Sequence, residues 1–212
     1  MQQAKTKAKV IIFYGASQSG KDFFAEEVMR RLNGGGYNTQ FLPKYLTRPR
    51  RAEEAPNCVF IEELEQDHDI IGDNYGHPMA VKSAEVKEML SKGISPVFVS
   101  ADEKMCAELM KTSGSAIAFK ILFEHPKTLQ GYLNMEMERN PDIDEETNRK
   151  AAEKRFAKYQ KIEASDAFPA IVACNPYDAS NTDPDHKAIV AEKTNAVITN
   201  MVGAVMGTAQ AL

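Results

Sequence analysis

Seven residues near the amino terminus have the types and spacing of a phosphate-binding loop. Gly15 to Lys21 reads GASQSGK, which matches the pattern GxxxxGK. The two glycines allow a tight turn whose backbone N–H groups point inward at an anion, and Lys21 adds a compact positive charge for the outer phosphates. This spacing predicts a site for the phosphates of a nucleotide, with Lys21 as a catalytic residue. The predicted nucleotide-binding residues here are Gly15, Ala16, Ser17, Gln18, Ser19, Gly20, Lys21 and Asp22.

The segments on both sides of this loop are those that the chemistry requires. An apolar run, Val10 to Tyr14, precedes the loop, and a segment with helical character, Asp22 to Leu32, follows it. A strand, a loop and a helix in this order place the anion at a helix amino terminus, where the helix dipole also favours negative charge. The context therefore supports the P-loop interpretation over a chance match.

Asp22 departs from the usual pattern, in which Ser or Thr supplies a hydroxyl to Mg²⁺. A carboxylate can bind Mg²⁺ directly or through a water, because this ion prefers hard oxygen ligands. Alternatively, Asp22 only begins the helix, where its charge suits the dipole. The sequence predicts Asp22 as a metal ligand and Mg²⁺ as a cofactor, with the helix-start role as the alternative.

A second segment concentrates positive charge. Three arginines and one lysine lie within the eight residues from Lys44 to Arg51. The planar guanidinium fork suits phosphate oxygens, and phosphoryl transfer needs a second anionic partner held in line with the first. The segment is therefore predicted to bind a phosphorylated acceptor, although a solvated basic loop has the same composition.

Taken together, these motifs resemble the guanylate kinase superfamily. The P-loop is followed by TRPRRAEE at Thr47–Glu54, then by Asn74-Tyr75-Gly76, a late arginine-bearing helix, and Cys174-Asn175 at a strand end. The resemblance extends from about Lys9 to Asn175. It implies an ATP- and Mg²⁺-dependent kinase whose acceptor is itself a phosphate, most simply a nucleoside monophosphate.

The resemblance also implies roles for individual residues. Arg48, Arg51 and Tyr75 would bind the acceptor phosphate, and Asn175 would contact the nucleotide. Arginines at both ends of a mobile lid would act in catalysis, and these are Arg139 and Arg155, with Arg149 as a rival for the second. The full set of predicted substrate-binding residues adds two that lie beside these motifs and is Lys44, Arg48, Arg51, Tyr75 and His77.

Several positions depart from the pattern of family members that bind guanine. Lys44 stands near an expected serine, Cys58 replaces a tyrosine, and His77 replaces a hydroxyl residue after the tyrosine-glycine turn. The expected acid at the end of the middle strand aligns with Val99 to Ala101. The ending GKD at the P-loop, Tyr45 to Arg48, and this strand resemble instead ribose 1,5-bisphosphate phosphokinase, which leaves a sugar phosphate as the alternative acceptor.

A further alternative is a non-catalytic guanylate kinase-like domain that binds peptides or proteins. The intact glycines and lysine of the P-loop argue against it.

Strands and helices alternate along the chain, which predicts an α/β fold with a parallel sheet flanked by helices. We expect one domain, in which a core at 9–45 and 83–205 carries an acceptor-binding insert at 46–82 and a lid at about 136–155. The insert is expected to be irregular. The expected strands are 9–14, 39–45, 97–99, 116–123 and 170–174, and the expected helices are 22–32, 83–92, 102–111, 128–138, 144–164 and 187–205.

Composition limits the partners and the compartment. The chain has 212 residues, of which 43% are hydrophobic and 26% charged, and its net charge is −4. This balance disfavours a broad nucleic-acid surface, and no apolar run is long enough to predict a membrane span. Three scattered cysteines are typical of the reducing cytoplasm. We expect a cytoplasmic protein that binds a small phosphorylated molecule and neither nucleic acid nor membrane, with the oligomeric state open.

Overall fold

The computed structural model describes residues 8–17, 19–50, 55–74, 76–124, 128–176 and 184–207, without the side chains of Asn74, Arg139 and Pro184. In chain order its elements are β1 (Val10–Gly15), α1 (Lys21–Gly34), β2 (Thr39–Phe41), β3 (Lys44–Leu46), β4 (Cys58–Phe60), β5 (Ile70–Asn74), β6 (His77–Val81), α2 (Ser83–Ser91), β7 (Ser95–Ser100), α3 (Glu103–Ser113), β8 (Ala116–Phe123), α4 (Leu129–Arg139), α5 (Glu145–Ala164), β9 (Ile171–Asn175) and α6 (Pro184–Met206).

The main sheet has five parallel strands in the order β2-β7-β1-β8-β9. β1 lies at its centre, where Phe13 pairs with Val99 of β7 and with Phe119 of β8. Every residue of β1 is buried. A strand covered on both faces needs a continuous apolar run, as this one has. The predicted α/β fold with a parallel sheet flanked by helices is confirmed.

Two apolar layers cover the faces of this sheet. On one face, Phe24 and Leu32 of α1 and Met201 of α6 pack with Phe13. On the other face, residues of α3, α4 and α5 pack with β1, among them Met105, Tyr132, Tyr159 and Ile162. Burial of such large side chains stabilises each by roughly 1.5–3 kcal/mol. The layers fix the carboxyl end of β1, and therefore the loop that follows it.

A second sheet occupies the segment that was expected to be irregular. Its order is β4-β3-β6-β5, with β3 parallel to β4 and antiparallel to β6. The expectation of an irregular region was therefore wrong. The single strand expected at 39–45 is also two strands in two sheets, separated by Leu42 and Pro43. Proline lacks the N–H that a continuing ladder needs.

The two sheets meet where β5 approaches the start of α3. The backbone N–H of Asp73 donates to Oδ2 of Asp102 at 2.9 Å. A Cβ added at Gly72 would lie 2.7 Å from Sδ of Met105 and 3.0 Å from Oδ2 of Asp102. Glycine at position 72 thus permits this close approach.

The other expected elements lie within a few residues of the observed ones, and β8 has the expected bounds. Within the described ranges, no helix combines the length and the apolar character that a membrane span requires. The division of the chain into core, insert and lid remains a prediction.

Candidate phosphate-binding site

The loop after β1 has a shape that depends on its two glycines. Gly20 has φ 84°, in the left-handed region, and a Cβ there would lie 2.6 Å from Nδ2 of Asn175. A Cβ on Gly15 would lie 2.6 Å from Oγ of Ser19 and 2.8 Å from the carbonyl oxygen of Ile121. All three distances are too short for a real Cβ atom. The positions that the sequence pattern selected are therefore those where the fold requires glycine.

Asn175 supports this loop from the end of β9. Its Nδ2 donates to the carbonyl oxygen of Ser19 at 3.0 Å. Ser19 is fully buried, and its N–H donates to the carbonyl of Ala16 at 3.3 Å. Asn175 thus contacts the loop of the predicted nucleotide site and stabilises its conformation. Its predicted contact with nucleotide and that of Ser17 remain predictions, and Gln18 lies outside the described residues.

Lys21 points its ammonium back into the loop. Nζ donates to the carbonyl oxygen of Ala16 at 3.3 Å and lies 3.5 Å from Oδ2 of Asp22. Only 13% of the side chain is exposed. Burial lowers the pKa of Lys21, Asp22 opposes that shift, and the charge of Lys44 adds to it. A cation destabilised by burial and by another cation is well suited to receive an anion.

Asp22 has the exposure and position that a magnesium ligand needs. Its side chain is 67% exposed in the first turn of α1, beside Lys21. The carboxylate offers hard oxygens next to the phosphate loop and leaves room for the waters that Mg²⁺ retains. The residues therefore fit ATP phosphates and Mg²⁺, while metal binding by Asp22 remains a prediction.

Lys44 of β3 reaches the end of β7 in the main sheet. Nζ of Lys44 donates to the carbonyl oxygen of Val99 at 3.2 Å and acts electrostatically on Lys21. Asp102 caps α3 by accepting the N–H of Met105 at 2.8 Å, and it also accepts the N–H of Asp73. Although the resemblance placed Val99 to Ala101 at the acidic position, Asp102 puts a carboxylate at this edge.

Part of the basic segment that is predicted to bind the acceptor packs on an aromatic ring. Arg48 is buried, its Nη1 donates to the carbonyl of Pro49 at 2.9 Å, and its guanidinium lies 5.5 Å from the ring centroid of Phe60. The guanidinium of Arg50 lies 5.9 Å from the same ring. This packing holds the basic segment against the second sheet.

The structure says less about the other residues that are predicted to bind the acceptor. His77 is exposed at the start of β6. Arg51 and Tyr75 lie outside the described residues. Joint binding of the acceptor phosphate by these residues therefore remains a prediction.

The lid arginines with described side chains pair with glutamates. Arg155 of α5 forms an ion pair with Glu136 of α4, which is only 1% exposed. Arg149 pairs with Glu145 on the exposed face of α5 at 2.9 Å. The side chain of Arg139 is not described. The pair of Arg155 joins two helices, and the catalytic roles of Arg139 and Arg155 remain predictions.

Lys158 is a half-buried lysine that the sequence interpretation did not select. This half-buried lysine of α5 acts electrostatically on Lys21, and Asp102 and Asp73 act on it in turn. Burial lowers the pKa of Lys158, and the two carboxylates oppose that shift. The available signal was spacing, because Lys158 lies three residues after Arg155 and four before the buried Ile162, on one helix face.

Comparisons with known proteins support the fold. No protein-family model and no curated protein matches this sequence. Among solved structures, the chain is similar to a guanylate kinase from Anaplasma phagocytophilum, with a TM-score of 0.51 and 13% identity over 97% of this chain and 98% of that one. It is also similar to a gluconokinase from Sinorhizobium meliloti 1021, with a TM-score of 0.44 and 12% identity over 96% and 99% of the chains. The first likeness shows a shared α/β fold.

Proposed function

We propose that this protein transfers a phosphoryl group from ATP to a small phosphorylated acceptor. The observation that carries the proposal is Lys21, whose ammonium lies inside a glycine-dependent loop at the carboxyl end of the central parallel strand. Ligands of open parallel sheets bind at this edge. The name of the structural neighbour, guanylate kinase, supports the same class of reaction.

In this proposal the chain supplies position and charge, and no covalent intermediate forms on the protein. The ATP phosphates bind the backbone N–H groups of the loop, and Lys21 neutralises charge as the γ-phosphoryl group moves. Mg²⁺, held from the side of Asp22, supplies further neutralisation when bound. Arg48, with Arg51 and Tyr75, holds the acceptor phosphate in line. The core at 9–45 and 83–205 thus binds ATP, and the insert at 46–82 binds the acceptor.

A nucleoside monophosphate is the acceptor that we favour. Asp102 lies where β5 of the second sheet approaches the start of α3, and carboxylate oxygens accept hydrogen bonds from the N–H groups of a base. Ribose 1,5-bisphosphate is the alternative, favoured by Asp22, because hydroxyl groups of a sugar can donate to the same oxygens. If the acceptor is a nucleotide, base discrimination should be weak, because both Asp102 oxygens already accept backbone N–H groups.

ADP release tests the proposal directly. The full chain is incubated with ATP, Mg²⁺ and one of GMP, dGMP, AMP, CMP, UMP or ribose 1,5-bisphosphate. We expect release with at least one acceptor and a loss of roughly 10²-fold or more in Lys21→Ala, since removal of one main electrostatic donor has such an effect. Arg30→Ala, an exposed change on the same helix, is the control.

Each of three contrary results would contradict a different part of the proposal. Near wild-type turnover in Lys21→Ala would refute a kinase that uses this loop. A strong preference for GMP over AMP would contradict the weak base discrimination. Calorimetry that detects no ATP binding, with or without Mg²⁺, would favour the non-catalytic binding module.

A further inference from the structure

Phe23 is an exposed aromatic residue beside the phosphate loop. It lies in the first turn of α1, two residues after Lys21, and is 51% exposed. Among the large apolar residues that are exposed in the described part of the chain, it is the only aromatic one. A ring left in water forgoes the free energy that its burial would release. A ligand that covers the ring would recover part of it.

The contacts of Phe23 connect its ring to the end of the loop. The ring packs edge-on against that of Phe24, with the two centroids 5.6 Å apart. A Cβ added at Gly20 would lie 3.7 Å from Cε2 of Phe24 and 2.6 Å from Nδ2 of Asn175. Gly20 therefore lies between the carboxyl end of β9 and the pair of rings. Residues three apart are neighbours on a helix surface, so a ligand in the loop is close to Phe23.

The side of α1 that carries Phe23 faces α6. Phe23, Glu27 and Arg31 are spaced by four residues and follow one ridge of the helix. At the end of that ridge, Arg31 donates to Oγ1 of Thr199 at 3.0 Å and to Oδ1 of Asn195 at 2.7 Å in α6. Because α6 packs on β9, Phe23 lies toward the β9 edge of the main sheet.

The two sheets indicate which part of a nucleotide would reach this ring. The second sheet contacts the main sheet on the β7 side of β1, where Lys44 bonds to Val99 and Asp73 to Asp102. An acceptor held by that sheet approaches the γ-phosphate from the β7 side. In-line transfer places the leaving group opposite the acceptor. The rest of the donor therefore extends toward β8 and β9, where Phe23 lies.

We propose that Phe23 stacks on the base of the nucleoside triphosphate that donates the phosphoryl group. The inference rests on the proposed function and names the part of the donor that the chain binds besides its phosphates. Every base has an aromatic face, so stacking alone distinguishes poorly between bases. The donor class is therefore nucleoside triphosphates in general, with ATP and GTP bound within about tenfold of each other.

A comparison of ATP with tripolyphosphate separates the base from the phosphates. Both ligands can occupy the loop, but only ATP has a ring to stack. Calorimetry in Mg²⁺ measures the Kd of each, and that of GTP, for the wild type, Phe23→Ala and Met206→Ala. Met206 is an exposed apolar residue at the other end of α6, near the start of β1, and is the matched control. The unfolding midpoint of each variant is also measured.

We expect Phe23→Ala to raise the Kd for ATP by roughly tenfold, as loss of a base–aromatic stack does, and to leave that for tripolyphosphate unchanged. Met206→Ala should match the wild type with every ligand. The chain contains no tryptophan, so Phe23→Trp introduces a single indole fluorophore. ATP should change its emission, and tripolyphosphate should not.

The outcomes separate this inference from the proposed function. An unchanged ATP Kd in Phe23→Ala would overturn the inference, and so would an equal loss for ATP and tripolyphosphate, since Phe23 would then only shape the loop. A GTP Kd far more than about tenfold above that of ATP would overturn the general donor class. If ATP binding depends on Phe23 but no acceptor elicits ADP release, the proposed function fails and the stacking role stands. If the wild type binds neither ATP nor tripolyphosphate, both fail.

Discussion

At the scale of single residues, the carboxylate of Asp22 has two alternative roles, as a Mg²⁺ ligand or as a residue that begins helix α1. As a metal ligand it assists ATP binding only when Mg²⁺ is present, whereas as a helix-start residue it acts regardless of metal. We expect Asp22→Asn to weaken ATP binding in Mg²⁺ and to leave it unchanged without Mg²⁺. Calorimetry under both conditions measures this difference. An equal effect with and without Mg²⁺ would assign Asp22 to the helix.

The lowered pKa of Lys21 predicts how folding stability and proton uptake on ATP binding change with pH. Burial places this pKa below its value in the unfolded chain, so the folded protein loses the proton first as pH rises. Folding is therefore penalised at neutral pH, and the penalty falls as pH rises through the folded pKa toward that of the unfolded chain. Bound phosphate raises the pKa again, so ATP binding should take up protons at pH values between the lowered pKa of the free protein and the raised pKa of the complex.

Calorimetry of MgATP binding in buffers of different ionisation enthalpy measures this uptake. We expect little uptake at pH values well below the lowered pKa, where the ammonium group is already protonated. Lys21→Arg serves as the comparison, because a guanidinium group does not deprotonate in proteins. This variant should show less uptake at every pH where the wild type takes up protons. Equal uptake in both proteins would mean that another group is responsible.

Residues in local motifs were predictable, and those defined by tertiary contacts were not. Gly15, Gly20 and Lys21 follow from a seven-residue pattern whose geometry is set within the loop and its flanks. Lys158 belongs to a helix rich in charge, where composition does not separate a solvated lysine from a half-buried one. Only the packing of α5 against the sheet makes that distinction.

At the scale of elements, the ion pair between Arg155 and Glu136 joins α4 to α5. Removal of Arg155 leaves a buried carboxylate uncompensated, and such changes cost roughly 3–5 kcal/mol. We expect Arg155→Ala to lower the free energy of unfolding by about 3 kcal/mol in denaturant titration. Arg149→Ala removes an exposed pair on the same helix and should cost no more than ~1 kcal/mol.

The difference in free energy of unfolding between these two variants tests whether Arg155 has a structural role. If Arg155→Ala proved as stable as Arg149→Ala, the ion pair would contribute little to stability. That result would favour the predicted catalytic role of Arg155 over a structural one.

Elements that bury a long apolar run were predictable from sequence. β1 and β8 are examples, because strands near the centre of a parallel sheet need continuous hydrophobicity. β3 and β4 have three residues each and mixed burial, so their patterns are too short to identify. The pairing of β3 with β6 and of β4 with β3, not their own sequence, makes them strands.

At the scale of the whole molecule, Gly72 tests the contact between the two sheets. Gly72→Ala would force Met105 and Asp102 away from β5, and overpacking of this kind typically costs 1–3 kcal/mol. We expect a lower free energy of unfolding by about that amount and a higher acceptor KM, because Asp102 shifts. Denaturant titration and steady-state kinetics measure the two effects.

Gly131→Ala is the control for this substitution. Its Cβ would meet only Oγ1 of Thr128 at an ordinary 3.5 Å within α4. Since alanine favours a helix over glycine by roughly 0.5–1 kcal/mol, this variant should be slightly more stable than the wild type. A Gly72→Ala protein as stable as Gly131→Ala would contradict the tight contact between the sheets.

The hydrogen bond from Asn175 to the carbonyl of Ser19 joins residues separated by 156 positions. A chain emerging from a ribosome therefore has its P-loop sequence outside long before it has the residue that secures the loop. Nucleotide binding should consequently be acquired late in synthesis, when β9 adds to the sheet beside β8. A nascent chain stalled before Cys174 should bind ATP weakly, and one released after α6 should bind it fully. For this protein, the order of synthesis would delay the nucleotide binding that we propose for the loop near its amino terminus.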